Sequence, residues 1–255
     1  MRNILLICKK ELKSYFASPI AYMLMAAFGL IIGLTFTDLA NKLVRYSFQA
    51  QMMGQQQPIN ATEIIIRQVL DFASTISLFL VPMISMRLIA EEKRTGTIEL
   101  LLTSPIKDIE IILGKWLGAV TLFICVLGMS VLDMVMLFAW AKPDLKPVLI
   151  GYLGLILQGA CLLAIGTLIS TTTRNQIVAG GVTFFVCLLL LLLKYFTDLE
   201  AGPLYQVGNY LSIVTHYENF SKGVLDSKDV VFYLSMIFFF LFGTSRAMES
   251  LRWRS

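Results

Sequence analysis

The chain has 255 residues, 57% of them hydrophobic and 15% charged, with a formal net charge of +4 and a mean hydropathy of +0.75. Soluble domains run at about 45–50% apolar and about 25% charged, so this composition excludes an ordinary water-soluble globule and points to lipid as the solvent. No basic block interleaves with aromatics, which leaves nucleic-acid binding without support and makes the positive charge a statement about membrane orientation.

The first segment, "MRNILLICKKELKSYF", is amphipathic at helical spacing. Ile4, Leu5, Cys8, Leu12, Tyr15 and Phe16 share one face, while Arg2, Lys9 and Lys13 lie on another. It is too short and too charged to span a bilayer. The pattern predicts an interfacial helix over 1–18, with Lys9, Lys10 and Lys13 turned toward anionic lipid. Ser18-Pro19 ends it.

Six apolar runs are long enough to cross, given the roughly 20 residues a crossing needs: 20–37, 69–89, 116–140, 148–170, 177–196 and 230–246. The first holds Gly29 and Gly33, a small-xxx-small pair suited to close helix approach, within the chain or with a second copy. The Gln-rich stretch that follows, within 38–68, reads as a loop with helical flanks. The second run contains Pro82, which predicts a kink.

A charged connector, "AEEKRTGTIELLLTSPI", covers 90–106. Thr95-Gly96-Thr97 breaks it, Thr97 caps a short helix that follows, Glu99 sits in that helix's first turn, and Ser104-Pro105 stops it. Leu100 and Leu101 have no partner within their own loop. Either they rest on the membrane surface, or they fill a groove on another protein with Glu91, Glu92, Arg94 and Glu99 at its rim.

The third run contains Asp133, an acid whose burial in lipid costs about 2.5–3.5 kcal/mol. It is expected to face protein or water, lining a path or bonding a neighbouring helix. Gln158, in the fourth run, is expected to bridge helices. The fifth run has no polar face and is expected to look at lipid; Gly180-Gly181 opens it. The outer segment 197–229 carries Leu211, Val214, Tyr217, Phe220 and Val224 at helical spacing, which predicts an amphipathic helix on or dipping into the outer surface, ended by Gly223.

With the N-terminus inside, 13 of the 21 lysines and arginines fall on the inner side. An even number of crossings then puts both termini in the cytoplasm, as expected for an inner-membrane protein. Cys8, Cys125, Cys161 and Cys187 read as small buried hydrophobes, and a lone His216 builds no metal site. No G-x-x-x-x-G-K-[ST] loop is present, so the chain has no nucleotide site of its own, and no catalytic constellation appears.

The stretch "EEKRTGTIELLLTSPIKDIEIILGKW" resembles the coupling segment of ABC-2 type transporter permeases, through Glu92, Gly96, Thr97, Glu99, Leu101, Pro105, Leu113, Gly114 and Lys115. "KKELKSYFASPIAY" resembles the family's amphipathic N-terminal helix and "HYENFSKGVLDSKDVVFY" its outer segment before the last span, so the likeness covers nearly the whole chain, with the gliding-motility-type branch most similar. The resemblance implies a single six-span domain over 1–255 that works as a dimer with two cytoplasmic ABC ATPase subunits, which bring ATP and Mg. Glu91, Glu92, Arg94, Gly96, Thr97, Glu99, Leu100, Leu101 and Pro105 would then couple the ATPase to the spans. A periplasmic-side auxiliary protein is the further partner if the machine transmits force rather than moving a solute.

Overall fold

The computed structural model describes residues 2–52, 65–99, 106–141, 143–197, 208 and 210–252. The described elements are helices, with no strand among them: α1 (Arg2–Ala17), α2 (Pro19–Met52), α3 (Arg67–Ser85), α4 (Ala90–Thr95), α5 (Asp108–Ala141), α6 (Leu145–Thr172), α7 (Gln176–Thr197), α8 (Ile213–Ser221) and α9 (Ser227–Arg252). Six stretches are long and apolar enough to cross a membrane: Pro19–Tyr46, Arg67–Thr95, Asp108–Trp140, Leu145–Thr172, Gln176–Lys194 and Ser227–Ser250. The all-α, six-span architecture expected from hydropathy is the one observed.

The bundle is built around α6. Of its most apolar stretch 67% is buried, against 17% for α7, and α6 packs on α3, α5, α7, α8 and α9. Small residues make this possible. Gly159 lies so close under the Phe123 ring that a Cβ there has no room, and one at Gly154 would stand 2.5 Å from Phe220. Two side chains tie α6 to its neighbours: Trp116 Nε1 donates to the Ala160 carbonyl at 3.0 Å, and Ser74 Oγ donates to Gln158 Oε1 at 2.8 Å. Gln158 is fully buried and its amide also donates to the Ser74 carbonyl at 3.3 Å, so it bridges the second and fourth spans.

Helix ends differ from the apolar runs. α2 continues from the expected end at Thr37 to Met52, supported by an Asp38–Lys42 pair one turn apart at 2.7 Å and by the buried Leu39. α5 begins at Asp108, two turns before Trp116, with Asp108 and Glu110 in its first turn where the helix dipole favours acids. Pro82 lies inside α3, which ends one turn later at Ser85.

The N-terminal helix departs from its expected face. α1 packs along the start of α5, where a Cβ at Gly114 would stand 2.7 Å from Ile7 and one at Gly118 2.9 Å from Glu11. Glu11, not Leu5, therefore belongs to the packed face; Leu5 is 68% exposed. Lys9, Lys10 and Lys13 stay on the exposed side. Tyr15 is buried and its hydroxyl donates to the Ile84 carbonyl at 3.2 Å. Burial holds its phenol far above the ordinary range, so it remains a neutral donor.

The glycine pair in the first span is used inside the chain. A Cβ at Gly29 would meet Met129 at 3.3 Å, and Gly33 leaves room for Asp133, whose Oδ1 would be 3.9 Å away. Both contacts join α2 to α5. Gly180 approaches Met86, while Gly181 has open space beside it.

Candidate functional site

The connector between the second and third spans opens with α4, six residues with Glu91 and Glu92 in its first turn and Lys93 and Arg94 in its last, the order that complements a helix dipole. The residue before it supplies no N-cap, because Ile89 has no side-chain acceptor. Ser170, at the end of α6, takes that role: its Oγ accepts from Ile89 N at 3.1 Å and Ala90 N at 3.0 Å. Lys93 adds a second tie, its ammonium donating to the Thr171 carbonyl. Gly96 ends the helix at φ 73°, a left-handed conformation that a side chain would strain.

A buried charge triad holds the same helix from the other side. Lys115, in the second turn of α5, is 3% exposed. Its Nζ lies 2.8 Å from Glu11 Oε1 on α1 and 2.8 Å from Glu92 Oε1 on α4. A lysine so placed keeps its charge only with a close counter-charge, and here two carboxylates from different helices supply it. Lys10 approaches the same Glu92 oxygen at 4.0 Å. Arg87 grips Glu91 with two bonds, Nε to Oε2 at 3.0 Å and Nη2 to Oε1 at 3.3 Å, and reaches Ser18 Oγ at 3.5 Å. A cleft of about 570 Å³ lies among these groups, between α1, α4 and the start of α5.

The connector residues singled out by sequence thus divide into two sets. Glu91 and Glu92 turn inward to their own chain instead of forming a free rim. Arg94, Gly96, Thr97 and Glu99 are exposed, and the Thr95 and Thr97 hydroxyls meet at 2.9 Å. Residues 98–99 resume helix after the Gly96 break. Leu100, Leu101 and Pro105 lie outside the described residues. Asp133 is half-exposed on α5 beside α2, distant in sequence and helix position from the connector.

Sequence reasoning missed Glu11 and Ser170 and gave Lys115 no physical role. Glu11 carries a readable signal, since it falls on the apolar stripe of an amphipathic helix, where an acid needs a partner. Lys115 in "ILGKWLG" is the matching cation. Ser170 has no such signal, because serine is common at helix ends.

At the opposite end of the bundle, α8 is inserted against α3, α6 and α7. Its buried residues are Ile213, His216, Tyr217, Phe220 and Ser221, whereas Leu211 and Val224 are exposed. Ser212 caps it, and Gly223 reverses the chain at φ 75°, as the sequence predicts. The histidine pairs with Asp229 of α9, not with the nearby Glu218: Nδ1 is 2.6 Å from Asp229 Oδ1 and Nε2 3.0 Å from the Tyr210 carbonyl. Asn219 donates to the other Asp229 oxygen at 2.7 Å, and Phe232 stacks on the ring.

Among the described residues no group of His, Cys, Asp or Glu could hold a metal ion. What the connector offers is mechanical: one short helix fastened to α1, α5 and α6 by groups that bury poorly without each other. No curated protein matches the sequence. Residues 5–247, nearly the whole chain, match the family model described as ABC-2 family transporter protein, and the chain belongs to that family as a multi-pass membrane permease component.

Proposed function

We propose that this chain is the membrane subunit of an ATP-driven exporter, powered by a separate ABC ATPase that docks on the connector. Two permease copies and two ATPase subunits form the unit, in a bacterial inner membrane with both termini in the cytoplasm. ATP and Mg belong to the ATPase. The observation that carries the reading is the fastening of α4 to three helices at once, through Glu92–Lys115–Glu11 and through Ser170. A force applied to α4 reaches α1, α5 and α6 without first having to order anything. The exposed Arg94, Thr97 and Glu99 form the side that meets the ATPase, and the leucines next in sequence, Leu100 and Leu101, are assigned to the same contact. Asp133 and Gln158 are polar groups within spans; the buried Gln158 serves helix packing, and the half-exposed Asp133 is the better candidate for a path at the contact between copies.

The test is affinity purification from native membranes. The wild-type permease should bring an ATPase with it, and Glu99→Lys with Leu101→Arg should lose the ATPase while the six spans still insert. Normal docking and nucleotide-driven turnover in that double variant would refute the assignment.

A second reading has one observation in its favour. α2 runs beyond its membrane-crossing stretch to Met52 and exposes Phe48 and Met52 there. Such a stalk suits a subunit that passes ATP-driven force to an extracytoplasmic partner and moves no solute. ATP hydrolysis in sealed vesicles with no cargo flux, together with a protein bound at the stalk, would favour it.

A further inference from the structure

A second cleft, of about 160 Å³, lies at the end of the bundle opposite the connector, between α3, α7 and α8. Four charged side chains line it. Arg67 and Asp71 come from the first two turns of α3, with Arg67 Nε 3.7 Å from Asp71 Oδ2, beyond hydrogen-bond distance, and their side chains are 41% and 43% exposed. Lys194, in the last turn of α7, pairs with Glu218 of α8. The two cations and two anions of the lining balance, and Lys222, outside the lining, stands 3.8 Å from Glu218 Oε2. A purely anionic ligand gains the cations but meets the carboxylates, and a purely cationic one meets the reverse. A zwitterion with phosphate and ammonium a few bonds apart satisfies both sets, replacing the loose Arg67–Asp71 pair and bridging the closed Lys194–Glu218 pair with charge-assisted bonds to itself.

The polar cleft continues into a shallow apolar groove, a surface furrow that encloses only about 10 Å³. Leu191 lines both, and below it the groove is formed by Leu78, Phe79, Phe184 and Leu188. Phe79 and Phe184 are exposed here, so the chain itself leaves the groove uncovered, and α7 is the least buried of the spans. The charges sit at helix ends, where a lipid headgroup lies, and the groove runs toward the middle of the spans, where an acyl chain lies.

We propose that this crevice binds a phospholipid with a zwitterionic aminophosphate headgroup, its phosphate on Arg67 and Lys194, its ammonium on Asp71 and Glu218, and one acyl chain against Phe79, Phe184 and Leu188. The site is independent of the connector and of the ATP-coupled reading.

Native mass spectrometry of the purified permease, with phosphatidylethanolamine and phosphatidylglycerol of equal acyl chains at equal mole fraction, tests it. Phosphatidylethanolamine should be retained in roughly three- to tenfold preference, the ratio one net hydrogen bond supplies. Arg67→Gln with Asp71→Asn removes an exposed pair of little structural value and should abolish the preference. Leu188→Trp fills the groove and should lower retention of the lipid with the headgroup contacts intact. Equal retention of the two lipids by the wild type overturns the proposal, as does a preference unchanged in both variants. Displacement of the lipid by soluble phosphoethanolamine at equal headgroup concentration assigns the cleft to a soluble zwitterion and overturns the lipid assignment.

Discussion

Lys115 decides more than any other single residue. It is the cation between two carboxylates that come from α1 and α4, and its burial removes the water that would otherwise weaken all three contacts. Lys115→Met would leave Glu11 and Glu92 facing each other with only the exposed Lys10, 4.0 Å from Glu92, as counter-charge. Removing one partner of a buried ionic set costs about 3–5 kcal/mol, whereas replacing the whole set with neutral groups of similar volume is often near neutral. The single variant should therefore be strongly destabilised in equilibrium unfolding from detergent micelles. The triple variant Lys115→Met, Glu11→Gln, Glu92→Gln should recover most of the loss and yet transmit poorly, because α4 is then no longer fastened to α1 and α5. A single-variant cost under about 1 kcal/mol, the range of an exposed pair, would remove the triad from the account.

At the scale of the element, α4 is a helix that its own sequence does not stabilise. Six residues are too few to persist alone, so its stability is borrowed from α6 through the Ser170 cap. Ser170→Ala should cost the helix about 1 kcal/mol, the usual value of a lost cap. That corresponds to an open population about fivefold larger, which trypsin would report as about fivefold faster cutting after Lys93 or Arg94. Ser170→Thr keeps an acceptor and should cut near the wild-type rate; equal rates in all three proteins would show that the cap does not hold α4. The same element shows why sequence was a partial guide. The acidic connector and the six crossings were legible, because both are contrasts in local polarity. The ends of α2 and α5 were not, since hydropathy marks where lipid stops and a helix paired as Asp38–Lys42 continues past it. The fastenings of α4 were hidden for another reason: Glu11 and Lys115 are 104 residues apart and Ser170 is 80 from Ala90, distances at which one sequence carries no pairing signal.

On the scale of the molecule, α6 joins the two ends. Its 28 residues span about 42 Å at 1.5 Å per residue, with Ser170 and Thr171 on α4 at one end. Toward the other end it meets α8, where Phe220 packs on Gly154 and the Tyr217 hydroxyl donates to the Gly151 carbonyl at 3.4 Å. A close-packed helix buried on most sides transmits displacement and absorbs little of it. If nucleotide binding moves α4, α8 must move with it, and the His216–Asp229 contact passes that movement on to α9. Hydrogen exchange on the intact permease–ATPase complex, with and without a non-hydrolysable nucleotide, should therefore change amide protection in Ala90–Thr95 and in Ile213–Ser221 together. In Ser170→Ala, where α4 keeps only the Lys93–Thr171 tie to α6, the change at Ile213–Ser221 should shrink while nucleotide binding to the ATPase is unaltered. A nucleotide response confined to Ala90–Thr95 in the wild type would mean that α6 does not carry the stroke, and that the two ends of this bundle work separately.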